Sequence, residues 1–139
     1  MITVVAAVIE RLDRRLLIGQ RRRTDTSPLK WEFPGGKVEP GETPEQALSR
    51  ELREELGATL SKSVLIGRVT HKYAETADEL EILFFAVEVA EGELNPRPFE
   101  QIAWVLPKEL GNYDFLAANR DLVARLATGQ IKIADILER

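Results

Sequence analysis

A chain of 139 residues with 44% hydrophobic content has enough apolar material for one core, and we expect a single domain over 1–139. The net charge of −4 argues against a general nucleic-acid-binding protein, and no run of 18 apolar residues is present to span a membrane. The lack of cysteine excludes a disulfide framework. Together with the lack of an N-terminal signal pattern, it predicts a cytoplasmic protein.

The first predicted elements are strands separated by a polar loop. Residues 2–10 are rich in Val, Ile and Ala, which is typical of a buried strand, and 16–19 form a second strand. Residues 21–30 are polar and predict a loop. Residues 31–37 predict a short strand running into a tight turn at two adjacent glycines, where the backbone can approach a ligand closely.

The segment that follows carries the signals of a helix of about 13 residues. Thr43 as N-cap, Pro44 at the first helical position and Gln46 in a capping box predict its start. Gly57 predicts an end in the left-handed conformation. One apolar stripe recurs every four residues: Leu48, Leu52 and Leu56. Three carboxylates fall within roughly 100° at the border of that stripe: Glu51, Glu54 and Glu55.

The remainder of the chain predicts further strands and a second main helix. We expect strands at 64–72, 80–89 and 102–106, and a helix over 115–128. Residues 129–139 predict a short helix or an interface segment. Mixed strands with two main helices favour an α+β fold with helices on both faces of a curved mixed sheet.

The acidic helix face has the chemistry of a metal site. Like charges four residues apart, such as Glu51 and Glu55, repel each other, and partial burial would raise the pKa of one carboxyl unless a cation neutralised it. Ligands that are only oxygen, in a chain without cysteine, favour Mg²⁺ or Mn²⁺ over zinc. A purely solvated acidic face is the alternative interpretation.

The sequence GKVEPGETPEQALSRELREELGA, residues 36–58, resembles the signature of the Nudix hydrolases. The matching positions are Gly36, Glu42, Arg50, Glu51, Leu52, Glu54, Glu55 and Gly57. Ala58 departs mildly, because the family usually has a larger aliphatic residue there. Eight specified positions at fixed spacing form a specific motif. The resemblance implies an α/β/α sandwich over about residues 2–128, with metal-dependent hydrolysis of a nucleoside diphosphate linked to another group.

The resemblance also implies roles for individual residues. Glu54 and Glu55 are expected to bind metal, and Glu51 to be either a ligand or the general base. Arg50 is expected to orient a carboxylate through a charge-assisted bond. A backbone carbonyl of the glycine pair is expected in the metal shell, that of Gly35 or else of Gly36. Glu42 is expected to hold either the loop or the arginine.

Four segments are similar to the MutT-type branch, which hydrolyses 8-oxo-dGTP and related triphosphates to the nucleoside monophosphate and pyrophosphate: 4–7, 20–22, 31–37 and 114–119. In that branch an asparagine at the position of Asn119 bonds the purine base, and its amide can read the O6 and N7 edge. Asn119 could equally cap a helix. Arg21, 12 residues before Phe33, has the offset of the branch's phosphate-contacting arginine. The resulting substrate-binding set is Arg21, Glu32, Phe33, Pro34, Gly35 and Asn119.

A fourth carboxylate is usual in the family ahead of the late strand. Glu100, four residues before Trp104, is the candidate metal ligand. Related enzymes place this glutamate about two residues earlier, where this chain has Pro98. The departure leaves a structural role open for Glu100.

Several alternatives remain at this level. A CTP-like pyrimidine triphosphate and a dinucleoside polyphosphate are the other substrate classes, the latter suggested by Tyr73. The non-enzymatic alternatives are a Nudix-fold binding module without catalysis and an interaction domain whose partner docks on residues 129–139. We expect a small nucleotide as the partner, no nucleic acid, no membrane, and a monomer or homodimer.

Overall fold

The computed structural model describes residues 1–72 and 79–139. Within them the strands are β1 Ile2–Ile9, β2 Leu16–Gln20, β3 Trp31–Glu32, β4 Gly35–Lys37, β5 Leu60–His71, β6 Leu80–Val89 and β7 Gln101–Val105. The helices are α1 Pro44–Leu56, α2 Arg120–Ala127 and α3 Ile133–Ile136, with 3₁₀ turns at Pro107–Asn112 and Ala117–Asn119. No helix in the described part of the chain is both long and apolar enough to cross a membrane.

Two sheets carry the fold. The larger has the order β4-β1-β6-β5, in which β1 and β6 run parallel and the outer pairs are antiparallel. The smaller is antiparallel with the order β3-β2-β7. Successive side chains of a strand point to opposite faces. Accordingly, Val5, Ala7 and Ile9 of β1 pack in one core cluster with α1, whereas Ala6 and Val8 pack in the other with α2 and α3. The predicted α+β fold, with helices on both faces of a mixed sheet, is confirmed.

Helix α1 follows its predicted caps. Thr43 Oγ1 accepts from the Gln46 backbone N–H at 3.1 Å, and Gln46 Oε1 accepts from the Thr43 N–H at 2.9 Å. Gly57 ends the helix at φ 66°. A cap of this kind stabilises a helix by about 1 kcal/mol. The leucine stripe is fully buried, and each leucine contributes roughly 1.5–3 kcal/mol. Packing of the leucine stripe therefore contributes more to the stability of the helix than the caps do. Leu52→Ala should lower the free energy of unfolding by about 2–5 kcal/mol.

The predicted tight turn at the glycine pair is wrong. Gly35 and Gly36 lie in β4, paired with Ala6 and Val5 of β1. A Cβ at Gly35 would stand 1.9 Å from the Val5 carbonyl oxygen, so the close approach is to a neighbouring strand. The segment 31–37 is two short strands belonging to different sheets, and its remaining two residues cross between them.

The second main helix begins later than predicted, and β5 begins earlier, at Leu60. The Trp31 backbone N–H donates to the Asp114 carbonyl at 2.9 Å, and the Leu116 N–H donates to the Trp31 carbonyl at 3.0 Å. These bonds hold residues 114–116 extended beside β3, so a 3₁₀ turn follows and α2 starts only at Arg120. A long-range pairing of this kind overrides the local helical pattern.

The C-terminal segment 129–139 packs on the rest of the fold. Ile133 and Leu137 are each 2% exposed and join the core beside α2. Lys62 Nζ donates to the Leu137 carbonyl at 2.9 Å, and Arg139 pairs with the buried Glu10. The segment contains the short helix α3, which covers the core beside α2.

Candidate active site

A cavity of about 560 Å³ opens between the starts of β1 and β6, the glycine strand β4 and the 3₁₀ turn before α2. Both apolar and polar side chains line it. The lining residues are Ile2, Val4, Val5, Ala6, Arg21, Thr26, Ser27, Glu32, Phe33, Gly35, Gly36, Lys37, Glu55, Leu80, Ile82, Leu116 and Asn119. An apolar cleft with a few convergent polar groups is the usual form of a small-molecule site.

Arg50 organises the acidic helix face. Its Nη1 donates to Glu51 Oε1 at 2.9 Å and to Glu54 Oε2 at 3.2 Å. Its Nε and Nη2 donate to the two carboxylate oxygens of Glu42 at 2.7 and 2.9 Å, a bidentate pair. Nη2 also donates to the Lys37 carbonyl at 3.0 Å, which links the helix to β4. The arginine therefore sets the positions of three carboxylates at once.

Glu42 acts on the loop before the helix. Besides the arginine, its Oε1 accepts from the Glu39 backbone N–H at 2.9 Å. The hydrogen bonds from Arg50, followed by the one from Glu39, lower the pKa of Glu42 to about 2. Glu42 is therefore ionised at neutral pH, and it contacts both of the groups expected from the sequence, the loop and Arg50.

The glycine pair admits the carboxylates to the backbone of β4. A Cβ on Gly36 would lie 2.2 Å from Glu51 Cδ, so only glycine leaves room for that carboxylate. The Gly35 N–H donates to Glu55 Oε1 at 3.2 Å. Two acids from successive turns of α1 thus meet two successive residues of β4. The contact requires the long-range pairing of β4 with β1 and of β1 with α1.

The acids nearest the cavity are crowded. Burial, then the charges of Glu32 and Glu51, raise the pKa of Glu55 to about 8. Burial also raises the pKa of Glu51 above its usual range, although Arg50 opposes the rise. Buried carboxyl groups that repel one another favour the neutral, protonated form unless a cation joins them.

The donor atoms of the candidate metal ligands are of the kind that a hard divalent cation prefers. The candidate ligands Glu51, Glu54 and Glu55 offer only oxygen, and the missing Cβ at Gly36 opens the backbone beside them. Burial first, and then the neighbouring charges of Glu32 and Glu51, raise the pKa of Glu55, and a bound cation would oppose both effects. In the described residues, no three acidic or histidine side chains already converge as a closed metal site. The ligand roles of these residues and of the Gly35 carbonyl therefore remain predictions.

Arg21 lines the same cavity as Glu55 of the acidic helix, and its charge opposes the rise in the pKa of Glu55. Its Nη1 donates to Glu32 Oε1 at 2.9 Å, and the pair is about one-fifth exposed. Burial raises the pKa of Glu32, and Arg21 counteracts it. Nε and Nη2 of Arg21 donate to the carbonyl and hydroxyl oxygens of Thr26 at 2.7 and 2.9 Å.

Asn119 is buried at the floor of the cavity, with 4% exposure. Its Oδ1 accepts from the Phe33 backbone N–H at 3.4 Å, a long bond spanning 86 positions. The residue precedes α2, but its side chain makes no capping bond, so the capping alternative is not supported. Within the described residues Nδ2 has no protein partner, so its N–H donors are the groups available to a ligand.

Two other predicted binding residues have structural contacts. The Phe33 ring is 3% exposed and packs edge-on against Phe84 and tilted against Phe115, so it serves the core as well as the cavity wall. Pro34 is buried and does not line the cavity. Its carbonyl accepts from the Ala7 N–H at 2.7 Å, which joins β1 to the crossing between the sheets.

Glu100 lies outside the cavity lining and is exposed. Glu100 directly precedes β7, and its backbone N–H donates to the carbonyl of Gln20 at 2.9 Å. Gln20 is the neighbour in the chain of Arg21, which pairs with Glu32. A metal role for Glu100 remains a prediction. Tyr73, which suggested a dinucleoside polyphosphate, lies outside the described residues.

Sequence reasoning missed part of the lining. Thr26, Ser27, Lys37 and Leu116 all line the cavity and were not singled out. Lys37 directly follows the glycine pair, so its proximity could have been inferred from β4. The others reach the cavity through the closure of the loop 21–30 and the extended segment before α2, which no local pattern predicts.

Known proteins match the chain over nearly its whole length. The NUDIX domain model matches residues 1–126. The CTP pyrophosphohydrolase of Escherichia coli (strain K12) is 38% identical over 131 residues, covering 88% of this chain and 89% of that protein. The 8-oxo-dGTP diphosphatase of the same organism is 32% identical over 123 residues, covering 88% and 94%. A MutT structure from a study of Aliivibrio salmonicida and Vibrio cholerae superposes with a TM-score of 0.78 and 33% identity, covering 92% and 98%. A family model over this range, with the signature glutamates on α1, shows that the chain belongs to the Nudix family of hydrolases.

Proposed function

We propose that this Nudix hydrolase is a nucleoside triphosphate pyrophosphohydrolase that prefers a purine, 8-oxo-dGTP or a dGTP-like nucleotide, and uses Mg²⁺ or Mn²⁺. The observation that carries the purine preference is Asn119, buried beside the Phe33 backbone with its amide nitrogen available to the cavity. An amide N–H can donate to a purine O6, and Oδ1 keeps a second lone pair for an oxidised N7–H. The relative named 8-oxo-dGTP diphosphatase supports the same substrate class.

Each end of the cavity suits a different part of the nucleotide. The apolar wall formed by Val4, Leu80, Ile82 and Leu116 offers a surface for a base. Arg21 in the cavity lining offers the cationic donor for phosphate oxygens. The acidic face of α1 lies beyond the glycine strand, where bound divalent ions would neutralise the polyphosphate and polarise the attacked phosphorus.

The protein groups position and deprotonate the water. Glu54 and Glu55 would hold the metal, and Glu51 would either hold it or accept the proton of the attacking water. Arg50 keeps Glu51 and Glu54 in place through its bonds at 2.9 and 3.2 Å. Water forms a new P–O bond, the P–O bond between the α- and β-phosphates breaks, and the products are the nucleoside monophosphate and pyrophosphate.

A pyrimidine triphosphate is the second candidate substrate. The specific observation in its favour is the 38% identical relative named CTP pyrophosphohydrolase. The distinction between the two substrates depends on the amide of Asn119, which lines the cavity, and on the edge that the base presents to it. A Nudix-fold binding module without catalysis is disfavoured, because the three candidate metal-binding glutamates of α1, Glu51, Glu54 and Glu55, are all present.

A nucleotide panel tests the proposal. The protein with Mg²⁺ is incubated with 8-oxo-dGTP, dGTP, dATP and CTP, and released pyrophosphate and phosphate are measured separately. The Glu54→Gln variant, purified identically, gives the background of contaminating phosphatases. We expect pyrophosphate as the product and the highest kcat/KM with a guanine nucleotide. A preference for CTP would overturn the purine assignment, and phosphate as the main product would overturn the pyrophosphohydrolase assignment.

A further inference from the structure

The loop 21–30 brings to the cavity a side chain that has no role in the mechanism above. Thr26 lines the cavity beside Arg21. Its carbonyl oxygen accepts from Arg21 Nε at 2.7 Å, and its hydroxyl oxygen accepts from Arg21 Nη2 at 2.9 Å. Nη1 donates to Glu32 Oε1 at 2.9 Å. All three nitrogens of the guanidinium are therefore held by protein acceptors on two sides.

We propose that Thr26 is a positioning residue for the triphosphate, acting through Arg21. A guanidinium carries five N–H groups, and one remains on each of Nη1 and Nη2 after these three bonds. Those two N–H groups are the donors that Arg21 keeps for a phosphate, in a guanidinium plane that Thr26 and Glu32 hold. The inference rests on the proposed phosphate contact of Arg21.

The hydroxyl of Thr26 matters because it holds the one guanidinium nitrogen that the other two bonds leave without a partner. The bond from Nε goes to the backbone carbonyl and persists with any side chain, whereas the bond from the terminal nitrogen Nη2 requires the hydroxyl. A long side chain that is ordered before the substrate arrives loses less conformational entropy on binding. The phosphate then meets donors already in place.

The backbone of the loop places Thr26 firmly. The Arg21 N–H donates to the Lys30 carbonyl at 2.8 Å, and the Leu29 N–H donates to the Arg21 carbonyl at 3.1 Å, which closes the loop at its base. Ser27 and Leu29 have φ angles of 48° and 62°, in the left-handed region. Non-glycine residues keep such angles where the surrounding contacts over-determine the backbone.

Removal of the hydroxyl tests the proposal. In Thr26→Val the shape and the backbone carbonyl are kept and the bond to Nη2 is lost. We expect KM for the best triphosphate to rise about 3- to 10-fold, as for one lost hydrogen bond, with kcat within about twofold. Thr26→Ser keeps a hydroxyl and should restore KM. Thr24→Val makes the same change two positions earlier, outside the cavity lining, and should leave KM unchanged.

Arg21→Ala separates this inference from the proposed function. If it leaves KM unchanged, the phosphate contact is wrong and the role of Thr26 fails with it. If it raises KM while Thr26→Val does not, the phosphate contact stands and the positioning role is rejected. Equal rises in KM for Thr26→Val and Thr26→Ser would also reject that role, because the hydroxyl would then be irrelevant. Melting temperatures of all variants show whether a change in KM reflects misfolding.

Discussion

Replacement of Asn119 tests base recognition most directly. Its side chain is 4% exposed, its Oδ1 accepts from the Phe33 N–H at 3.4 Å, and its Nδ2 is available to the cavity. Asn119→Ala removes the donors and leaves a buried base edge unpaired, which costs about 1–3 kcal/mol. At about 1.4 kcal/mol per tenfold change, kcat/KM for the preferred purine triphosphate should fall roughly 5- to 150-fold.

Asn119→Asp separates the two halves of the amide. The aspartate keeps an oxygen for the Phe33 N–H and loses both N–H donors, so the packing and the protein contact are retained. Its added charge also opposes a carbonyl oxygen of the base. We therefore expect a loss for guanine nucleotides at least as large as that of Asn119→Ala, and the melting temperature measures the separate cost of burying the carboxylate.

The assay is pyrophosphate release from 8-oxo-dGTP, dGTP and CTP with each protein, at substrate concentrations well below KM. The loss should be large for the two guanine nucleotides and small for CTP, because a pyrimidine presents a different edge to the amide. Equal losses on all three nucleotides would refute the reasoning, since they would mean that the start of α2 had been disturbed. Melting temperatures provide the control for that disturbance.

Four substitutions and one pH series test the acidic site. Glu54→Gln and Glu55→Gln should each abolish Mg²⁺-dependent turnover without unfolding the protein. Mg²⁺ should also raise the melting temperature of the unmodified chain, because an ion that binds only the folded state stabilises it by mass action. Full activity in both variants would reject the metal assignment. Without metal, the pKa of Glu55 is raised from 4.5 to about 8, so the folded state retains a proton that the unfolded chain loses. The free energy of unfolding should then fall as pH rises between these two values. In EDTA, the melting temperature of the unmodified protein should fall with pH relative to that of Glu55→Gln. A difference between the two melting temperatures that does not change with pH would contradict the raised pKa. Gly36→Ala places a Cβ 2.2 Å from Glu51 Cδ, so the flexible carboxylate must move and kcat should fall at least about tenfold with a small change in stability. Gly35→Ala meets backbone instead and should lower the melting temperature; an opposite pattern in the two alanine variants would contradict the described packing.

Local sequence determined the acidic helix almost completely. Thr43, Gln46 and Gly57 act through bonds to residues three or four positions away, and the leucine period depends only on 3.6 residues per turn. The cap signals therefore gave the helix its observed bounds, and the signature spacing placed Arg50 among its carboxylates. Both sets of contacts involve residues that are close in the chain.

Only the tertiary structure decided how the two ends of the site meet. The Asn119–Phe33 bond spans 86 positions, and the contact of Glu55 with Gly35 depends on β4 pairing with β1 beneath α1. The same long-range packing made the glycine pair a strand rather than a turn, because β1 supplies its hydrogen-bond partners. Local propensity amounts to tenths of a kcal/mol per residue, whereas burial of a core side chain contributes several times more. Packing therefore overrides local pattern where the two disagree, as at the start of α2.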